Sequence, residues 1–428
     1  MKAPSIAFPL AGEDLLREIA VRTFGDLARE TGDGVGITRE CYADGENRAL
    51  ELFRDLAESH GLVCRLDAAG GTTIMLPNDD GAGPAVYIGS HADSVPQGGN
   101  YDGAAGVLAG ILCLIALQHQ GAELPAPVRV IILRGEESAF YGRANIGARA
   151  LLGRLDSKDL LARSRGTGRT LREAMSSVGI NVDRIAAGER LFDPTMALAF
   201  LELHIEQGPV MVARKLPTAI VTGIRGNIRH LVVLCQGEAA HSGAVPRWLR
   251  KDAVFAVADL LMRLDEHWST LLQRGLDLVV TTGIIATNPA EHALSRIPGE
   301  VQFSFEVRSQ SHDTLEAFYE LFRSECRAIA AQRRVTFTFD DRVYTEPARM
   351  HEGIVRKLVQ ASERIGLVPE TIPSGAGHDA AVFANEGIPA GMVFVRNENG
   401  SHNPREAMEI DDFLKGVELL TTAVSDGL

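Results

Sequence analysis

The chain has 428 residues, 45% hydrophobic and 23% charged, with 43 Lys and Arg against 56 Asp and Glu for a formal charge of −13. That apolar content excludes a mainly disordered chain, and the acidic balance argues against nucleic acid or an anionic membrane as the main partner. Glycine accounts for 43 residues, above the usual ~7% and without the strict period of collagen.

Apolar residues recur at helical spacing over 14–31 and again over 47–60. Strand-like runs follow at 72–76 and 85–89, the second ending at Ser90 and His91, and a helical stretch at 104–118 leads into the unbroken β-branched run 128–133. Alternating strands and helices with continuously apolar strands predict a sheet covered on both faces. A further strand at 197–203 ends at His204. From about residue 214 the texture changes. Strands are predicted within 218–235, at 278–285, 301–308 and 335–339, with helices at 251–267 and 315–331. This β-α-β-β-α-β order fits a small inserted α+β domain. Beyond about residue 342 the first texture resumes with a helix at 352–365 and a strand at 391–395. The expected fold is therefore an α/β domain with a central mixed sheet, residues 1–213 and 341–428, interrupted by an α+β domain at 214–340.

The longest apolar run, 106–117, is shorter than the ~20 residues a membrane-spanning helix needs. Glu13, Asp14, Arg17 and Glu18 leave no room for the apolar core of a signal peptide, so a cytoplasmic location is expected. Cys41, Cys64, Cys113, Cys235 and Cys326 are scattered and never form a Cys-x-x-Cys pair; they read as buried thiols rather than a disulfide framework.

Five groups of polar residues stand at the ends of apolar runs: His91 with Asp93; Asp102 in a glycine-rich loop; the adjacent Glu136 and Glu137; His204 with Glu206 and Gln207; and the late pairs His378-Asp379 and His402-Asn403. Strand ends are where open α/β sheets place their sites. Taken singly, each is weak: a histidine at a strand end reads more readily as a structural hydrogen-bonder, the Glu136-Glu137 pair as a solvated turn and the glycine-rich segment as an ordinary loop. Together they favour a metal site, because imidazole nitrogen and carboxylate oxygen suit a borderline metal and Asp93, two residues along an extended strand, faces the same way as His91. A phosphate loop, a Gly-x-Ser-x-Gly elbow and a His-Glu-x-x-His helix are all missing from the sequence.

At these residues the sequence resembles the hydantoinase/carbamoylase family of dinuclear-metal amidohydrolases, relatives of aminoacylases and metal-dependent di- and tripeptidases. The matching segments run in the family's order: GSHADSVPQGGNYDGAAGV (89–107), RGEESAFYG (134–142), LELHIEQGPV (201–210), AHSGAVPRWLRKDA (240–253), IPGEVQFSFEVR (297–308), SGAGHDA (374–380) and GSHNP (400–404). The resemblance implies two divalent ions per subunit, zinc first and manganese, cobalt or nickel as alternatives. It implies His91 and His204 on one ion, Glu137 and His402 on the other, Asp102 bridging, Glu136 as general base and Asp93 behind His91. It further implies a homodimer formed by the inserted dimerisation or lid domain, with His241 reaching the partner's site. Substrate contacts would come from Gln207, His241, Ser295, Arg308 and Gly375. The substrate implied is a small carboxylate-bearing ureido acid such as an N-carbamoyl-L-amino acid. Allantoate amidohydrolase, β-ureidopropionase and aminoacylase or dipeptidase activities are the neighbouring readings, and a non-catalytic binding protein on the same scaffold is the distant one. Ser138, Ser295 and the polar loop 396–399 depart from the family pattern. All three departures bear on the pocket and none replaces an expected ligand.

Overall fold

In the computed structural model, which describes residues 10–121 and 123–428, the strands Ala85–His91 and Val128–Leu133 are buried at every position. A strand without a polar face needs cover on both sides. Ile88 and Val130 point to the helix Ala104–Gln120, where they crowd Gly110. On the opposite face, Tyr87 packs edge-on against Phe192, and Phe200 of the strand Ala197–Ile205 stacks on Phe383 of the helix Asp379–Asn385 at 4.0 Å. The helix Ala104–Gln120 buries every residue from Ala104 to Leu117. It is apolar all round because the helix Ile410–Ser425 covers the side turned away from the sheet.

The sheet runs Val63–Leu66, Thr72–Met75, Val128–Leu133, Ala85–His91, Ala197–Ile205, Ala390–Val395 and Thr218–Ile224. Its four middle strands are parallel and the outer pairings antiparallel, which makes it a mixed sheet. All four parallel strands therefore end at one edge, and His91, Glu136, Glu137, His204 and the loop carrying His402 lie at those ends.

The chain divides into two compact units, one ending at Thr222 and resuming at Arg349, the other Gly223–Ala348. The first division falls beyond residue 213 because Thr218–Ile224 pairs with Ala390–Val395 and so continues the large sheet. In the second unit, Gly226–Gln236 and Glu300–Ser309 form the antiparallel centre of a sheet, with the helices Ala253–Gln273 and His312–Arg333 against it. Val301, Phe303, Phe305 and Val307 alternate inward, and Phe305 stacks on Phe322 at 3.8 Å. Arg308 is on the opposite face.

Some local differences from the periodicity have clear causes. The run 278–285 breaks into Val279–Thr281 and Ile285–Ala286, since Ile284 N–H bonds the Ser304 hydroxyl where the neighbouring strand changes register. The helices Ile146–Leu151, Leu171–Ser177 and Val182–Ala186 are too short for a periodic apolar pattern, although the second starts at a Thr170-x-x-Glu173 capping box. All five cysteines are free, four of them buried. Among the described residues no helix is long and apolar enough to cross a membrane.

Candidate metal centre

Asp102 leads into the helix Ala104–Gln120, and its two carboxylate oxygens face different partners. Oδ1 lies 3.5 Å from His91 Nε2 and 3.2 Å from His204 Nε2, whereas Oδ2 lies 3.4 Å from His402 Nε2. His402 Nε2 is also 3.1 Å from Glu137 Oε1. Two sets of potential ligands thus share one carboxylate: His91, His204 and Asp102 on one side, Asp102, Glu137 and His402 on the other.

The imidazoles of His204 and His91 are each held by their second nitrogen. His204 Nδ1 donates to the Ile205 carbonyl at 2.9 Å, which leaves the lone pair of the neutral ring on Nε2; there it accepts the Gly103 N–H at 3.3 Å, with Asp102 Oδ1 3.2 Å away. His91 Nδ1 lies 3.1 Å from the Asp93 carbonyl and 3.3 Å from the Asp93 carboxylate. Asp93 also accepts the Glu136 and Glu137 N–H groups, each at 3.0 Å, one on each oxygen. It lies against the His91 ring and fixes the backbone of the glutamate pair as well. Gln207 donates to Asp102 Oδ2 at 2.7 Å, and both Gln207 and His402 take left-handed backbone conformations, with φ of 61° and 60°. Such conformations cost energy in non-glycine residues and cluster at functional sites.

Electrostatics shows what these groups lack. Asp102 Oδ1 and Glu137 Oε1 are buried and face only imidazole nitrogens, those of His91 and His204 for the first and of His402 for the second. Burial opposes its charge, yet His204, His402 and His91 hold the Asp102 carboxyl well below the ordinary carboxylate range. Hydrogen bonding to Asp102 and Glu137 pushes His402 up to about 10. Burial opposes the His91 imidazolium too, but Asp102 and Asp93 outweigh it and raise the group well above its ordinary value. The carboxylates thus draw positive charge onto the imidazoles, and a divalent cation answers the same demand with ligands of suitable type. The residues fit a metal pair.

Glu136 stands beside this set without joining it. Its Oε1 accepts from Asn145 Nδ2 at 3.2 Å, and the same amide donates to Asp379 Oδ1 at 3.0 Å. Burial first, then Glu137, Asp379 and Asp93, hold the Glu136 carboxyl well above its ordinary value against the pull of His91. A carboxyl raised in this way is a stronger base than a free one. His378 begins the helix Asp379–Asn385 and bonds Ser374 Oγ at 2.9 Å; burial and the neighbouring His204 keep it neutral.

The structure brings His91, Asp93, Asp102, Glu136, Glu137, His204, Gln207 and His402 together in the larger unit. Gly375 lies in the same unit, exposed, just after the strand Thr371–Ser374. His241, Ser295 and Arg308 belong to the smaller unit. There Ala240–His241 pairs with Arg296–Ile297, and Ser242 N–H bonds the Ser295 carbonyl at 2.7 Å, so His241 and Ser295 are neighbours. Arg308 is paired with Glu306 at 3.0 Å. Asn145, Glu406 and Arg39 lie outside every matching segment, and Ser401 lies within GSHNP (400–404) without being marked there as a partner of Asp102. Asp379 lay inside a quoted motif, but nothing in its local sequence marks it as a partner of Asn145.

The chain belongs to peptidase family M20/M25/M40, whose family model matches residues 87–426. Within that family of hydrolases it falls in the hydantoinase/carbamoylase group. It is 33% identical over 400 residues to the N-carbamoyl-L-amino acid amidohydrolase of Geobacillus stearothermophilus, covering 92% of this chain and 94% of that one. The allantoate amidohydrolase of Escherichia coli is 30% identical over 90% of this chain and 91% of its own. A hydantoinase/carbamoylase family amidase from Burkholderia ambifaria superposes with a TM-score of 0.82 at 30% identity, covering 96% and 97% of the two chains.

Proposed function

We propose that the protein is a homodimeric, cytoplasmic, dinuclear-metal amidohydrolase that cleaves the ureido C–N bond of an N-carbamoyl-L-amino acid or a similar ureido acid. The observation that carries this reading is the division of Asp102 between two sets of ligands with Glu136 alongside. His91 and His204 would hold one ion, Glu137 and His402 the other, and Asp102 both, with zinc the first choice. Bound there, the ions lower the pKa of water and polarise the carbonyl under attack.

The chain's own groups supply the rest. Glu136 takes the proton of the attacking water at its carboxylate and delivers it to the departing nitrogen. The tetrahedral species then collapses to the amino acid and a carbamate, which decomposes to ammonia and carbon dioxide. Arg308 would clamp the substrate carboxylate through two parallel hydrogen bonds once released from Glu306. Ser295 and Gly375 would line the pocket, Gln207 would meet the ureido end, and the partner subunit's His241 would steady the oxyanion. Dimerisation is supported by the exposed apolar side chains Trp248, Phe255, Met262 and Leu294 of the smaller unit, which an interface of this kind would cover. The free thiols support a reducing compartment.

The decisive test is Glu136→Gln, assayed by ammonia release across N-carbamoyl, other ureido and N-acyl amino acids. The variant should retain its metal and lose roughly 10²–10⁴-fold in turnover. Near-wild-type turnover would sink the mechanism, and hydrolysis of N-acyl substrates without ammonia would redirect it to the aminoacylase reading.

A further inference from the structure

Glu406 follows His402 by four residues, is 7% exposed, and falls outside every recognised motif. Its Oε1 accepts the backbone N–H groups of Tyr101 at 2.8 Å and Asp102 at 3.2 Å, across more than 300 residues of chain. Its Oε2 accepts from the Ser401 hydroxyl, which also lies 2.6 Å from Asp102 Oδ2. The carboxylate crosses the glycine-rich loop at Gly99, where a Cβ would sit 2.1 Å from Glu406 Cδ. Only glycine leaves that space.

Arg39 holds the same turn from another direction. Fully buried, it donates Nε to the Ala92 carbonyl at 2.8 Å and points Nη2 at the Asp102 carbonyl at 3.4 Å. The Asp102 residue is thus gripped at its N–H by Glu406, at its C=O by Arg39, and at its side chain by Ser401 and Gln207. The Ser401 hydroxyl has one proton and faces two carboxylates, so it can donate to only one at a time. When the Asp102 oxygens are given over to cations, Glu406 is the acceptor to which that proton turns.

We infer that Glu406 is a positioning residue, which sets the Asp102 carboxylate astride the two halves of the metal site through the Tyr101–Asp102 backbone and Ser401. The inference rests on the dinuclear reading proposed above. Its experiment is chelator competition with Mn(II), counting ions bound per subunit, with circular dichroism for the fold and electron paramagnetic resonance for magnetic coupling between the ions. Glu406→Ala should keep the fold, weaken binding of at least one ion roughly 10–100-fold, and lose the coupled-pair signal at equal loading. Glu406→Gln, which keeps an acceptor oxygen for the two N–H groups, should recover most of both. Gly99→Ala touches no ligand but displaces Glu406, so it should resemble Glu406→Ala; these last two variants decide the matter should Glu406→Ala not fold. Unchanged affinity and coupling in Glu406→Ala or Gly99→Ala, or a Gln variant no better than Ala, would overturn the inference. A wild-type protein that takes up fewer than two ions would instead overturn the dinuclear reading, and the two failures are told apart by the wild-type ion count.

Discussion

Asp93 offers a quantitative test of the support beneath the site. It is fully buried, and its two oxygens each accept one backbone N–H, from Glu136 and Glu137, at 3.0 Å. Asp93→Asn keeps one acceptor and turns the other into an amino group facing an N–H. One buried donor then goes unsatisfied, at a cost of about 1–3 kcal/mol. Asp93→Ala strands both donors, for about twice that loss. The effect on metal is of similar size, because a ligand's outer partner is worth roughly 10–100-fold in affinity, or about 1.4–2.8 kcal/mol. Part of the His91 support survives, since its Nδ1 also faces the Asp93 carbonyl at 3.1 Å, which substitution leaves in place. The order expected is therefore wild type, then Asn, then Ala, both in denaturant unfolding of the chelated protein and in zinc affinity by competition. An Asn variant within ~0.5 kcal/mol of wild type, the range of an ordinary surface change, and within threefold in zinc affinity would refute the reasoning.

Metal binding should release protons. Asp102 and Glu137 raise His402 to about 10, so at neutral pH an incoming ion displaces a proton from that ring. Apparent affinity then climbs with pH until about 10, and calorimetry in buffers of different ionisation enthalpy should detect the release near pH 7.5; an enthalpy independent of buffer would contradict it. The same raised value means that the chelated protein draws stability from His402 fully below about 6.5. It loses this as the pH rises through about 10, so its unfolding midpoint should fall over that window more than that of the metal-loaded protein. Gly103→Ala should fail at the site itself: φ there is 65°, and a Cβ would lie 2.4 Å from the His91 ring. With ψ at −47° the backbone lies outside even the left-handed helical region and alone costs about 1–3 kcal/mol, and metal analysis of the purified variant should show depletion; full occupancy would count against this placement of His91.

How much of the site could be read from sequence depended on how far each interaction travels along the chain. Most of the proposed site residues were legible because they follow an apolar strand, and parallel strands deliver their ends to one edge: His91 closes Ala85–His91, Glu136 and Glu137 come shortly after Val128–Leu133, and His204 lies near the end of Ala197–Ile205. Strand positions were legible for the same reason, since burial on both faces leaves an unbroken apolar run. Where local signal was weak, as in the short helices between 146 and 186, there was nothing periodic to read.

The groups that hold the ligands in place follow another rule. Asn145 meets Asp379 across 234 residues, and Glu406 meets Asp102 across 304. A carboxylate that accepts backbone N–H groups places no requirement on the side chains of its partners, so neither end of such a contact leaves a residue pattern. Asp102 and Glu406 look alike in sequence, one after a glycine-rich loop and one after a proline turn. They are separated by what faces them: Glu406 Oε1 has two N–H donors, whereas Asp102 Oδ1 has none and looks toward two imidazoles. A carboxylate satisfied by backbone N–H groups supports, and one that faces only imidazole nitrogens calls for positive charge, as a proton or as a cation. That distinction is what the proposed metal role of Asp102 and the positioning role of Glu406 rest on. The glycine excess is explained in part by the same contacts, since Gly99 and Gly103 stand where Glu406 and the His91 ring leave no space for a Cβ.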